Sequence, residues 1–289
     1  MTPAEIRTAR AAAHRARARD FAEAHGIPEA ALVAAFVGPG VVAIEAAPDR
    51  LMPLAAALGE ALALTRNASA VQERQGRYET YDPCEARVAG PEIELHIFPE
   101  HWVHAFAVTE ETAKAAKRSI QIFDAAGEAV HKIHLTAESD LAAFDRLVEA
   151  LRLPDQADAL PFAPAAAPAA GTGPASCLGL APEAVTQLLE RAAAGQVPLG
   201  IRVGNAGCLQ VFRGTVERIL PAGYWINVMD PRFNLHLRTD HLAEVRLLRA
   251  QDGGLSIEAI HPDGSRIALI DGSGPAWEAL AMGLPRLPD

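Results

Sequence analysis

Aromatic residues are scarce: nine Phe, three Trp and three Tyr make up 5% of the 289 residues. Half of the chain is nevertheless hydrophobic, so a substantial core can form, built chiefly from Ala, Leu, Val and Ile, and disorder is excluded for most of the length. Cysteine is scarcer still. Cys84, Cys177 and Cys208 are odd in number and scattered in spacing, which argues against a disulfide framework and for a reducing compartment. No apolar run reaches the roughly 20 residues that a bilayer span needs. The best stretch, Leu51 to Leu64, is interrupted by Pro53, Gly59 and Glu60. The first residues are charged rather than apolar, so no secretory signal is expected. Positive charge is also short, with 26 Lys and Arg against 36 Asp and Glu and a net charge of −10. That balance argues against nucleic acid or an anionic membrane as a partner. Common catalytic signatures are missing too: there is no Gly-x-Ser-x-Gly elbow, no Cys-x-x-Cys pair and no His-Glu-x-x-His. What remains is an acidic, cytoplasmic globular protein, a monomer or homodimer, long enough for two ordinary domains or one large one.

Alternation and helical spacing divide the chain. The first 25 residues read as one helix, with Arg7, Arg10, Arg15, Arg17 and Arg19 on a solvated surface. Pro28 opens a second helix, which Gly38-Pro39-Gly40 stops, and Val41 to Ile44 is a short strand. Asp49 to Leu64 reads as an Ala/Leu-rich helix. Residues 92–98, 118–123 and 129–135 alternate as strands, the last two joined by a turn at Asp124–Gly127. Thr136 is read as the cap of a helix over residues 138–151. Five prolines between 154 and 174, set among Ala and Gly, predict a semi-extended linker. A helix over 182–194 follows.

After the linker the pattern repeats. Asn67-Ala68-Ser69-Ala70-Val71-Gln72 and Asn205-Ala206-Gly207-Cys208-Leu209-Gln210 stand 138 positions apart, and Gly76 and Gly214 keep that offset. Leu95-His96-Ile97 then pairs with Leu235-His236-Leu237, and His101 with His241. An ordered series of this kind indicates duplication of a unit of about 130 residues. The fold class is therefore α+β, with two pseudo-repeats of strands closed by a helix near each end. The expected units are an N-terminal repeat at 1–153, a linker at 154–181 and a C-terminal repeat at 182–289.

Several stretches carry a family resemblance. Ala63-Leu64-Thr65-Arg66-Asn67, His101-Trp102-x-His104-Ala105-Phe106-Ala107-Val108 and Gln121-Ile122-Phe123-Asp124-Ala125-Ala126-Gly127 resemble the first half of the HemS/HmuS family. Trp225-x-Asn227-Val228-x-Asp230-Pro231-x-Phe233-Asn234-Leu235-His236-Leu237 resembles its second half. The resemblance implies a haem-binding and haem-trafficking protein of the cytoplasm, acting after haem uptake in iron acquisition. It also implies an α+β fold of two repeats, each a large antiparallel β-sheet flanked by helices, with haem (hemin) held between them, and a haem importer or haem oxygenase as partner. The same family is credited with haem degradation, and a haem-free scaffold is a third reading.

This chain departs from the family at the haem contacts. No histidine lies between His134 and His236, where the family places an iron ligand. Ile267-Ala268-Leu269-Ile270-Asp271-Gly272 stands in place of a Tyr-Gln pair and its Arg, and Ala250 in place of a Lys. His96 replaces an Arg, Phe98 is retained, and Arg202 stands where an apolar contact is usual. Haem needs an axial ligand, an apolar slot and cations for its propionates. The candidates are His96, His101 and His104 as iron ligands, Phe98 as an apolar contact, and Arg202 and Arg249 as propionate partners, with weakened binding as the expectation. His131 and His134, three apart on a strand, face opposite sides and make a poor metal pair.

Overall fold

A computed structural model describes residues 1–38, 40–112, 115–164 and 176–287. The N-terminal half opens with three helices, α1 (Pro3–Ala12), α2 (Ala18–His25) and α3 (Glu29–Ala34). It continues through β1 (Val41–Ile44), α4 (Pro48–Ala56), β2 (Gly59–Arg66), β3 (Ala70–Arg77), β4 (Thr80–Asp82) and β5 (Arg87–Ala89). After β6 (Glu94–Ile97) comes a 3-10 turn at Pro99–His101, then β7 (His104–Glu110), β8 (Lys117–Phe123), β9 (Ala129–Ser139) and α5 (Leu141–Leu151). The second half runs β10 (Ser176–Leu180), α6 (Ala184–Gly195), β11 (Leu199–Gly204), β12 (Cys208–Gly214), β13 (Ile219–Ala222) and β14 (Trp225–Asp230). It closes with β15 (Phe233–Arg238), a 3-10 turn at Thr239–His241, β16 (Glu244–Arg249), β17 (Leu255–Ile260), β18 (Arg266–Asp271) and α7 (Gly274–Met282).

The strands form two nine-stranded antiparallel sheets. Sheet A has the order β1-β7-β8-β9-β2-β3-β15-β14-β13, and sheet B the order β10-β16-β17-β18-β11-β12-β6-β5-β4. Strand order is thus identical in the two repeats, and α4 and α5 correspond to α6 and α7. Each repeat gives six strands to its own sheet and lends three to the other: β6 pairs with β12, and β15 with β3. No helix among the described residues is long and apolar enough to cross a membrane.

The two cores follow the same symmetry. Leu51, Met52, Phe144 and Leu147 of α4 and α5 pack with Ala61, Ala63, Ile120 and Ile133 on one side of sheet A. Leu188, Leu189 and Trp277 of α6 and α7 pack with Ile201, Val203 and Ile257 on one side of sheet B.

A reciprocal pair of asparagines fastens the halves. Asn67 Nδ2 donates to the carbonyls of Gly204 (3.1 Å) and Ile267 (2.9 Å), while its Oδ1 accepts from the Ser69 and Ala70 amides. Its repeat partner Asn205 donates to Arg66 and Val130 (both 2.8 Å) and accepts from Gly207 and Cys208. The 205–208 turn fits so closely that a Cβ on Gly207 would lie 2.7 Å from a Val130 methyl, and Trp102 Nε1 donates to the Gly207 carbonyl at 2.9 Å.

The N-terminal helices break the symmetry. Ala30, Val33 and Ala34 cover Phe106, Val108 and Phe123 on the second side of sheet A. Glu29, only 3% exposed, is ion-paired with Arg66 and Lys132 of that side. Burial raises the Glu29 pKa, but Lys132 and Arg66 outweigh it and hold the carboxyl below its usual range.

Four elements differ from the sequence reading. The first helix breaks after Ala12, where Arg10 takes the carbonyls of Ala13 and Ala16. The 49–64 helix ends at Ala56, because Gly59 adopts φ 71° and the alternation of Ala61, Ala63 and Thr65 then serves a strand. Alanine fits either period, which hid the switch. The cap of α5 is Asp140, which accepts from the Ala143 amide at 3.0 Å, while Thr136 lies within β9. Of the linker, residues 165–175 lie outside the described residues. Residues 154–164 run along sheet A, where Gln156 bonds both backbone groups of Ala43, and Ser176–Leu180 forms β10.

Asn205→Ala removes five side-chain hydrogen bonds at the junction and is expected to cost about 2–4 kcal/mol in urea unfolding. A cost under about 1 kcal/mol would contradict the fastening role. His131, held between Thr65 Oγ1 (2.8 Å) and the Tyr78 hydroxyl (2.7 Å), has its pKa pushed down to about 3 by burial and then by His134. Because the folded state resists the proton, the contribution of neutral His131 is complete above about pH 6.5 and is lost as the pH falls toward 3. Stability is expected to drop by about 2 kcal/mol between pH 8 and pH 5 from this residue. His131→Gln should flatten that slope, and an unchanged slope would contradict the assignment.

Candidate ligand-binding site

Successive side chains of a strand alternate between faces, so α6 and α7 on one side of sheet B leave the second side to the intervening residues. Register places Arg87, His96, Leu209 and Gly204 in one row of that side. Glu94, Val211, Arg202, Leu269, Glu258 and Arg246 form the next row. Arg213, Gly200, Asp271, Ser256 and Leu248 form a third. Leu209, Leu248 and Leu269 are half-buried. The corresponding side of sheet A is covered over β1, β7 and β8 by α3. Sheet B has no such helix among the described residues.

Charge on this face is dense and paired. Glu94 accepts from Arg87 and from Arg213, each at 3.0 Å, and His96 Nε2 lies 3.4 Å from the same carboxylate. Partial burial raises the Glu94 pKa, but the hydrogen bond and charge of Arg213, joined by Arg87, more than reverse this and lower it. Arg202 is ion-paired with Asp271. A Cβ on Gly200 would lie 2.5 Å from Asp271 Oδ1, so the glycine is what lets this carboxylate lie across β11. Burial and then the neighbouring Arg213 lower the Arg202 pKa, yet a guanidinium stays charged at neutral pH. Glu258 accepts from Arg266 at 2.6 Å. Leu209, Val211 and Leu269 therefore make an apolar strip interrupted by Arg202, which lies between the buried Val211 and the half-buried Leu269, with further guanidinium groups and one imidazole around it. That combination suits a flat, mostly apolar ligand with anionic substituents and a metal able to take a nitrogen ligand.

Of the residues expected from sequence, His96, Phe98 and Arg202 share this region. Phe98 is 39% exposed and follows His96 by two residues in extended backbone, so it lies on the same side. The other three lie elsewhere. His101 ends the 3-10 turn and packs near Gly207, where a Cβ would meet His101 Cβ at 3.2 Å. His104 starts β7 in sheet A, with its ring edge-on to Phe162 at 5.7 Å. Arg249 lies on the helix side of sheet B, its Nη2 3.8 Å from Met282 Sδ in α7. The chain leaves sheet B after β6 and enters sheet A at β7, which separates His96 from His104. The expected grouping of His96, His101 and His104 around one metal is therefore not what the structure brings together. Among the described residues, no group of three or more His, Cys, Asp or Glu side chains is arranged to hold a metal ion.

Sequence reasoning missed Arg87, Glu94, Leu209, Val211, Arg213 and Leu269. Part of the signal was present, since Glu94, His96 and Phe98 alternate, as do Leu209, Val211 and Arg213. Only the pairing of β6 with β12 puts the two sets side by side.

Comparison with known proteins agrees with this architecture. The family described as the haemin-degrading HemS.ChuX domain matches residues 26–151 and again residues 165–280. The hemin transport protein HmuS of Yersinia pestis is 31% identical over 300 aligned positions, covering 88% of this chain and 87% of that protein. The hemin transport protein HemS of Yersinia enterocolitica matches at the same identity and coverage. The crystal structure of holo-PhuS, a heme-binding protein from Pseudomonas aeruginosa, is 33% identical with a TM-score of 0.91, covering 99% of this chain and 100% of that one. ChuS, described as an E. coli heme oxygenase, is 25% identical with a TM-score of 0.82, over 92% of this chain and 95% of that one. Matched in both halves by one domain family and aligned with full-length relatives, the chain belongs to the HemS/ChuX family.

Proposed function

We propose that this chain binds haem on the uncovered side of sheet B and carries it through the cytoplasm after uptake, in an iron-acquisition system. The observation that carries this reading is the gathering of His96, Phe98 and Arg202 around the strip of Leu209, Val211 and Leu269. His96 offers Nε2 to the iron, the strip takes one face of the macrocycle, and Arg202 and Arg213 meet the propionates. The relatives named for hemin transport and heme binding support the ligand class.

The ion pairs set the strength of binding. Each propionate must replace a carboxylate already in place, Asp271 on Arg202 or Glu94 on Arg213. Such an exchange gains far less than pairing a free guanidinium, because one charge-assisted contact is traded for another. Modest affinity suits a carrier that takes haem from an importer and releases it to a haem oxygenase.

Hemin titration followed at the Soret band tests the reading. His96→Ala is expected to weaken the tighter phase of binding at least tenfold, about 1.4 kcal/mol, with circular dichroism unchanged. His104→Ala should leave it unaltered, and Asp271→Asn should tighten it severalfold by freeing Arg202. A tight phase indifferent to His96→Ala, or abolished by His104→Ala, would contradict the proposal.

A further inference from the structure

The repeat places a second imidazole where the first one stands. In sheet B the row is Arg87, His96, Leu209, Gly204, and in sheet A the equivalent row is Asn227, His236, Val71, Arg66. Here α3 covers only the far part of the face, where Glu29 holds Arg66 and Lys132. The near part, on β13, β14 and β15, opens into a cavity of about 410 Å³ lined by Arg17, Leu220, Trp225, Asn227, Met229 and His236.

Its chemistry is that of a ligand site in its own right. His236 Nδ1 is bonded to Asn227 Oδ1 at 2.7 Å, an arrangement that fixes the ring and its tautomer and leaves Nε2 as the free nitrogen. Burial lowers the His236 pKa, so the imidazole is neutral at physiological pH, as a metal ligand must be. Glu73 and Arg17 are the charged groups that face it, with opposite effects. Glu73 also accepts from Asn234 at 3.2 Å. Met229 and the Trp225 ring, over which Arg238 stacks at 5.3 Å, offer apolar surface, and Arg17, exposed in the turn before α2, is a cation without a described ion pair.

From this geometry we infer that the chain has a second, weaker iron-porphyrin site on sheet A. His236 Nε2 ligates the iron, Trp225 and Met229 contact one edge of the macrocycle, and Arg17 meets a propionate. The inference rests on the haem reading only for the class of ligand, since none of its residues belongs to the sheet B face. The second site is weaker because α3 covers much of this face and leaves only one edge of the macrocycle in contact.

Stoichiometric hemin titration of the full chain, read at the Soret band and by electron paramagnetic resonance of the ferric complex, tests it. The unaltered chain should take two equivalents in two phases. His236→Gln should lose the second phase and its imidazole-ligated signal while keeping the His96-dependent one. Asn227→Ala, which keeps the imidazole but frees the ring, should weaken the second phase severalfold and guards against misfolding of the first variant. His96→Ala should retain the His236-dependent equivalent. If the second equivalent persists in both His236→Gln and Asn227→Ala, or the unaltered chain takes one equivalent insensitive to His236→Gln, the inference is overturned. If binding depends on His236 and not at all on His96, the sheet B reading fails while this one stands.

Discussion

The architecture depends on two asparagines that each satisfy the other half's backbone. A strand leaving its own sheet exposes carbonyls at the crossing, and a buried carbonyl without a partner costs about 1–3 kcal/mol. Asn67 closes that deficit at Gly204 and Ile267, and Asn205 closes the equivalent deficit at Arg66 and Val130. Each also pins its own turn through Oδ1, so the amide orientation is fixed by both demands. With the crossings sealed, β4–β6 can complete sheet B and β13–β15 can complete sheet A. The exchange makes the halves interdependent: the row that holds His96 has Arg87 from one repeat and Leu209 from the other.

Duplication also supplies two equivalent faces, and what covers each decides its use. On sheet A, α3 seals the end of the face over β1, β7 and β8, and a buried carboxylate between Arg66 and Lys132 holds it there. Removing water from such a triad costs free energy that only good pairing offsets, so the seal is specific in its position. On sheet B the equivalent centre carries Arg202, Leu269 and Glu258, and guanidinium groups stand where sheet A has a helix. The same scaffold thus presents one broad charged platform and one small remnant beside Arg17.

Much of this was legible in the residues. The 138-residue offset between the Asn67 and Asn205 motifs revealed the duplication, because both asparagines meet the same backbone requirement. Alternation located β6, β8 and β9. The sheet exchange was not legible, since alternation tells which side a residue faces and says nothing about which strand lies beside it. That is why His96, His101 and His104, near neighbours in sequence, separate onto sheet B, the connecting 3-10 turn and sheet A, while Arg213 joins Glu94 from 119 residues away. Ala-rich β2 read as helix for a related reason: a small apolar side chain fits both periods, and only the left-handed Gly59 marks the switch.

A crystal structure of the full chain grown with hemin bears most directly on the central claim, that the uncovered side of sheet B is the principal haem platform. The account requires the macrocycle to lie against Leu209, Val211 and Leu269, with the iron at His96 Nε2 and a propionate at Arg202 in place of Asp271. Haem bound beside His104 or Arg249, with the sheet B ion pairs intact and solvent over Leu269, would contradict it.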